Sequence, residues 1–282
     1  MFFTARHLLT SACLVLCSSL ALANASINSS TTLVQRPKKD TSIFSGFFNV
    51  ARSTNLYDFQ DGTRGDGVAY LGRLNANLGS SFTLRVDGGY NQDLKDSTKN
   101  DFADTVISLR STPMNLGKTF LFSYNAGFAA PTSKVSSEVQ GMYGSARAGA
   151  VLAINSNRLI KGFSAVSSIV VARNFHEFET SKVGAVNNQY SSTQSLSLNY
   201  DFPRNFSISA DIVHKNAISY QGILKEAYEI SEELSYQVNS NFGIAVGHSN
   251  SGNALRPNGQ DYSFDAYNEN TSVVYASMTV IF

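Results

Sequence analysis

Ten ionisable side chains fall where the chain alternates polar with apolar residues, and they separate by sign. Arg73, Arg85, Arg110 and Arg147, with Asp87 and Asp104, lie between residues 67 and 154, whereas Asp211, Glu229 and Glu233, with Lys215, lie between 205 and 238. Alternate residues of a strand share one face, which assigns all ten to the polar faces of their strands. Opposed walls of guanidinium and carboxylate would set up a transverse field across a water-filled passage, orienting polar solutes and setting ion selectivity. The plainer chemistry is that these charges pair with one another and plug a narrow interior. The many glycine, alanine and serine residues on the same faces suit either arrangement, and neither needs a cofactor.

Two further stretches hold residue types that do chemistry. His248-Ser249-Asn250-Ser251-Gly252-Asn253 places a base beside a hydroxyl, the pairing of nucleophilic catalysis. Neighbours in a strand point to opposite faces, so His248 would need Asn250, or a serine from another strand. Read plainly, it is a polar strand end entering a loop rich in turn residues. Asp61-Gly62-Thr63-Arg64-Gly65-Asp66-Gly67 contains an Arg-Gly-Asp tripeptide and two acids, from which receptor adhesion or calcium binding can be imagined. The acids do not follow an EF-hand spacing, and the stretch also reads as an ordinary glycine-rich loop. His176 and His214 stand apart from any paired-ligand spacing, so no metal site is expected.

The elements that position these residues are strands. Alternation predicts them near 42–53, 67–78, 81–91, 101–111, 117–129, 139–154, 159–173, 189–201, 205–215, 226–238, 241–249 and 268–282. Phe120, Phe122, Tyr124, Ala126 and Phe128 oppose Thr119, Leu121, Ser123, Asn125 and Gly127, and Phe206, Ile208, Ala210 and Ile212 oppose Ser207, Ser209 and Asp211. The strand at 159–173 has two largely apolar or small faces and leaves its register open. Glu232 falls on an apolar face between Ile230 and Leu234, which points to a bulge there or to a position near lipid headgroups. Tight turns are expected around Gly79-Ser80, Thr112-Pro113-Met114-Asn115, Asn155-Ser156-Asn157, Phe202-Pro203-Arg204 and Asn239-Ser240. Longer polar links separate them: 54–66, 92–100, 130–138, 174–188, 216–225 and 250–267. A soluble β-sandwich would need a second sheet over each apolar face, and a β-solenoid would show a short regular repeat. Short turns at one end and long loops at the other follow the plan of a membrane barrel.

The last strand carries the same message. Val274, Ala276, Met278, Val280 and Phe282 form a wholly apolar face, opposed by Tyr275, Ser277, Thr279 and Ile281. A last strand alternating into a terminal phenylalanine, Tyr275-x-x-Met278-x-Val280-x-Phe282, resembles the C-terminal signal of Gram-negative outer-membrane β-barrel proteins. The resemblance implies porin-like architecture, recognition by the barrel-assembly machinery and periplasmic chaperones, and contact with outer-membrane lipid and lipopolysaccharide. The His248 stretch resembles the sites of barrel-embedded lipid hydrolases such as outer-membrane phospholipase A and lipid A deacylase. In those enzymes the spacing is His-x-Ser, so both side chains share a face; here the two are adjacent.

At the other end, Arg6 and His7 precede an apolar run from Leu8 to Leu22 and small residues suited to cleavage after Ala23 or Ala25. Residues 1–25 read as a secretory signal peptide and 26–41 as a polar periplasmic lead-in. Both cysteines, Cys13 and Cys17, fall inside the leader, so the mature chain has no thiol chemistry. The leader carries Arg6 and no acid, and its removal takes the formal charge of +1 to zero, so nothing in the charge balance points to a nucleic-acid partner or long-range steering. No later run approaches the roughly 18 apolar residues of a spanning helix. With 13 tyrosines, 19 phenylalanines and no tryptophan, the aromatic content suits interfacial girdles.

The expectation is an all-β protein, with residues 42–282 forming a transmembrane antiparallel up-and-down β-barrel of twelve strands, or ten or fourteen if a hairpin has been split or merged. Both termini would be periplasmic. Its function would be passive passage of small polar solutes or ions past the inward charges. The alternatives are a closed barrel displaying its long loops for adhesion or envelope interaction, and a lipid hydrolase using His248.

Overall fold

The computed structural model describes residues 43–56, 65–154, 160–254, 262, 264–268 and 271–282. The expected leader, the lead-in and most of the Arg-Gly-Asp stretch lie outside them. Twelve strands follow in chain order: β1 Phe44–Asn55, β2 Asp66–Leu78, β3 Phe82–Asp93, β4 in three pieces (Asp101–Phe102, Thr105–Ser111 and Met114–Leu116), β5 Phe120–Ala130, β6 Met142–Ile154, β7 Phe163–His176, β8 Asn188–Asp201, β9 Phe206–Ser219, β10 Leu224–Asn239, β11 Phe242–Asn253 and β12 Val273–Ile281. Each pairs antiparallel with its neighbours in sequence, and β12 pairs with β1, from Phe47 opposite Ile281 to Asn55 opposite Val273. The sheet is therefore a closed barrel with no free edge, which satisfies the backbone in a solvent that offers no hydrogen bonds.

Following paired residues once around the ring returns to β1 about sixteen positions further along. Twelve strands with that stagger tilt about 45° from the barrel axis and enclose a backbone cylinder about 24 Å across. The same registers place all twelve strands at matching heights.

Alternation then decides what faces outward. Phe48, Leu74, Ile107, Phe128, Ile169, Val171, Leu196, Ile212, Val246 and Met278 are exposed on the outer wall, as a lipid-facing surface requires. Phe44, Phe120, Phe202, Phe206 and Phe282 make an aromatic rim at the short-turn end. In β7 the register left open by the sequence resolves with Ile169, Val171 and Phe175 outward and Val166, Ser168 and Ala172 on the inner side.

One turn lies elsewhere than expected. The chain does not turn at Thr112–Asn115; β4 resumes at Met114–Leu116 and the turn follows at Gly117–Thr119. Pro113 has no N–H to give the ladder, so it interrupts the strand without ending it. Gly117 supplies the positive φ of 67° that the turn needs. The link between β9 and β10 is also shorter than expected, covering residues 220–223, because both strands run further out.

Candidate functional site

Every charged residue expected to line the lumen except Asp104 lies within a strand, on the inward side of the alternation. In β2 and β3, Arg73 and Asp87 are cross-strand partners. Arg73 Nε donates to Asp87 Oδ1 at 2.5 Å and Arg85 Nε to Asp87 Oδ2 at 2.6 Å, so one carboxylate bridges two guanidiniums. The Arg73 guanidinium also sits 5.0 Å above the Phe47 ring of β1, a cation–π contact that holds the side chain against the wall. Arg110 of β4 donates Nη2 to Ser123 of β5 at 3.1 Å. Arg147 of β6 is half-buried, and its Nε has no hydrogen-bond partner among the described residues.

The carboxylates stand on the other side. In a ring of twelve, β9 lies opposite β3 and β10 opposite β4. Asp211 of β9 therefore faces Arg85 across the lumen, and Glu233 of β10 faces Arg110. From the registers, Arg73, Arg85, Asp87, Arg110, Asp211 and Glu233 fall within about 6 Å of one another in height, near mid-barrel. Asp211 accepts from the Ser197 hydroxyl, Glu233 from Tyr275 Oη at 3.1 Å, and Glu229 from Lys215 Nζ at 3.2 Å. Glu229, Lys215, Arg147 and Asp104 lie nearer the long loops. Serine pairs such as Ser207–Ser235 and Ser168–Ser195, each at 2.6 Å, fill the inner wall between the charges.

The two walls are unequally wet. Asp211 and Glu233 are each 3% exposed and Glu229 1%, whereas the side chains of Asp87 and Arg85 are 22% and 24% exposed. The carboxylate wall is packed among hydroxyls, and solvent reaches the arginine wall. Residue types announced the two signs of charge but not this difference, which arises where small neighbours and Tyr275 close over the acids.

Asp104 has a different employment. It sits in the break between two pieces of β4, where Oδ1 accepts from Ser133 N at 3.0 Å and Oδ2 from Ser136 Oγ at 2.6 Å. With Asp101, which accepts from Lys134 N at 2.9 Å, it anchors the π-helical turn Val135–Val139 of the loop between β5 and β6. That loop is laced to the loop between β7 and β8 by Lys182 N to Val139 O at 2.9 Å and Asn187 Nδ2 to Gln140 O at 3.0 Å.

His248 and Ser249 part as expected, His248 outward and Ser249 buried on the inner side. The ring is paired: His248 Nδ1 lies 3.0 Å from Glu232 Oε2, and the two residues are register partners. The ladder runs unbroken through Glu232, so no bulge accounts for its outward position; its partner is the histidine. No serine or threonine hydroxyl hydrogen-bonds His248 among the described residues. Nor do those residues contain a cluster of three or more potential metal ligands. In the last strand, Met278, Val280 and Phe282 are exposed on the outer wall, while Tyr275 turns inward to Glu233.

No protein-family model matches the sequence, and no curated protein matches it. Solved structures do. The chain is similar to the NanC porin at 6% identity and a TM-score of 0.55, covering 84% of this chain and 99% of that one. It is similar to an outer-membrane channel from Pseudomonas putida F1 at 10% identity and a TM-score of 0.54, covering 85% and 95%. It is also similar to the KdgM porin in complex with disordered oligogalacturonate, at 11% identity and a TM-score of 0.52, covering 84% and 99%. At such identities the likeness is one of fold: a closed twelve-strand outer-membrane β-barrel.

Proposed function

We propose that the barrel is a passive outer-membrane channel for small polar solutes, and that Arg73, Arg85, Asp87 and Arg110 line its narrowest charged layer opposite Asp211 and Glu233. The observation that carries this reading is the coincidence in height of the two charge sets on diametrically opposed strands. A structure selected only to fill its interior would gain from pairing each cation with its nearest anion. Among the described residues Arg110 bonds Ser123, Asp211 bonds Ser197, Glu233 bonds Tyr275 and Arg147 Nε has no partner, where counter-charges could stand. The solvent-reached wall carries more guanidinium than carboxylate, which favours anions modestly over cations. Channels among the similar folds support the same reading. Both termini are taken as periplasmic, with the last strand, including Tyr275, Met278, Val280 and Phe282, read by the assembly machinery.

The test is single-channel recording of the refolded protein in a planar bilayer over a range of salt. Stable ohmic steps whose conductance grows with salt are expected. A folded, heat-modifiable barrel that gives no steps would overturn the channel and favour a closed barrel that presents its loops.

A further inference from the structure

The outer wall is recessed where β1–β4 pass mid-barrel. Gly72 and Gly88 are register partners on the lipid side of β2 and β3. Phe48 of β1, the register partner of Gly72, and Thr105, at the break in β4, lie on either side of them. The backbone does not demand glycine at these positions: neither has a positive φ, and the ladder between β2 and β3 runs through both without a shift. Crowding does not demand it either. A Cβ at Gly72 would meet nothing within 4 Å, and one at Gly88 only Thr105 Oγ1 at 3.8 Å. Glycine inside a strand weakens it and often marks a place where a second body comes close. A lipid-facing wall would otherwise carry larger apolar side chains at both positions.

The flanking side chains keep the recess open. Above it Tyr70, Tyr90 and Phe102 form a ridge whose ring centroids lie 6.2 Å and 5.0 Å apart in succession. Tyr70 Oη donates to Gln92 Oε1 at 3.4 Å, away from the glycines. Below it stand Leu74 and Val86, themselves register partners. Between the ridges runs a slanting trench, made of two contiguous hollows of about 540 and 510 Å³ that share Phe48, Gly72 and Gly88. Three strand spacings separate Phe48 from Thr105, a length of about 14 Å. At the upper end the Thr105 and Thr132 hydroxyls are 3.2 Å apart, and Thr132 Oγ1 donates to Ala103 O at 2.7 Å. Phe48 and Leu74 are each 46% exposed and Phe102 59%, so the trench is not covered by the chain itself.

We infer that this trench binds one acyl chain of a membrane lipid, with the head group toward the long loops. The occupant follows from the surroundings. The trench is continuous with the lipid-facing wall, and the outward side chains lining it carry no charge by which to recognise a peptide or a second barrel. Because a single row of side chains is missing, it has the width of one hydrocarbon chain. A chain lying in it touches both ridges and the glycine floor, whereas a chain elsewhere on the wall touches one convex surface; the added contacts are many and individually small. The direction follows from the two ends. Threonine hydroxyls stand at the upper end and the Phe48 ring at the lower, so the chain enters from the polar end.

Native mass spectrometry of the folded barrel in detergent containing dimyristoyl phosphatidylglycerol tests the inference. The parent should carry one lipid that survives removal of the detergent shell. Gly72→Leu combined with Gly88→Leu fills the trench and should lower the lipid-bound fraction severalfold, while heat-modifiability shows the barrel still folded. Gly72→Leu alone, whose Cβ meets no neighbour within 4 Å, should lower it in part and serves if the double variant fails to fold. Ala150→Leu adds the same bulk to the outer wall of β6, between Tyr124 and Ile169, and should leave the bound lipid unchanged. The inference is overturned if the parent retains no lipid, if the folded glycine variants retain as much as the parent, or if Ala150→Leu lowers binding equally. A retained adduct with the mass of a protein would overturn it as well.

Discussion

Asp87→Asn is the sharpest probe of the charged layer. The carboxylate joins Arg73 and Arg85 at 2.5 Å and 2.6 Å, and the amide retains the shape but adds one net positive charge to the lumen. An ion passing about 7 Å away in water feels about 0.6 kcal/mol from one charge. Screening at 0.1 M salt, where the Debye length is about 10 Å, halves this to about 0.3 kcal/mol. Anions gain that amount and cations lose it, so the anion-to-cation permeability ratio should rise about threefold. In a tenfold potassium chloride gradient the zero-current potential should move by about 20 mV in the anion-selective direction. The assay is the reversal potential of single channels, with Asp87→Glu as the charge-conserving control. A conducting Asp87→Asn channel whose reversal potential stays within about 3 mV of the parent would refute the placement of Asp87 beside the ion path. Stability should fall as well, by about 2 kcal/mol, since two half-buried guanidiniums lose their shared acceptor.

Three other perturbations follow from the contacts. Asp104→Ala removes the acceptor for Ser133 N and Ser136 Oγ, so hydrogen exchange in residues 131–141 should quicken about tenfold or more, as for a lost anchor of about 1–3 kcal/mol; unchanged exchange would mean that the loop is held elsewhere. Gly144→Ala drives a Cβ into the Phe128 ring at a φ of 156°, and the barrel should lose about 1–3 kcal/mol, read as a lower temperature for the folded-to-unfolded gel shift. His248→Ala should leave single-channel conductance unchanged, because the side chain is on the outer wall, and neither it nor the parent should release fatty acid from phospholipid or lipid A; hydrolysis by the parent alone would restore the catalytic reading of the His248–Glu232 pair.

The sequence by itself favoured twelve strands without excluding ten or fourteen, and it determined most of the faces and the sign of each wall. A strand's side-chain period is 2, so Phe206, Ile208 and Ile212 could be assigned to lipid and Asp211 to the interior without any knowledge of partners. Turn chemistry marked most hairpins because glycine, proline and asparagine impose local backbone geometry. It misled at Pro113, where the absence of a donor interrupts a strand that tertiary pairing with β5 carries on to Leu116.

Only the tertiary structure decided what depends on register. Closure between β1 and β12 and a stagger of about sixteen set which strands stand opposite, and hence that Arg85 faces Asp211. Nothing local to Glu232 reveals that His248 is its cross-strand partner; that pairing is fixed by the hairpin joining β10 to β11. The burial of Glu229 and Glu233, the Tyr275 hydroxyl at Glu233 and the use of Asp104 as a loop anchor are likewise contacts between residues 14 to 42 positions apart. Periodicity reports the direction in which a side chain points. What it meets there is set by the way the sheet closes.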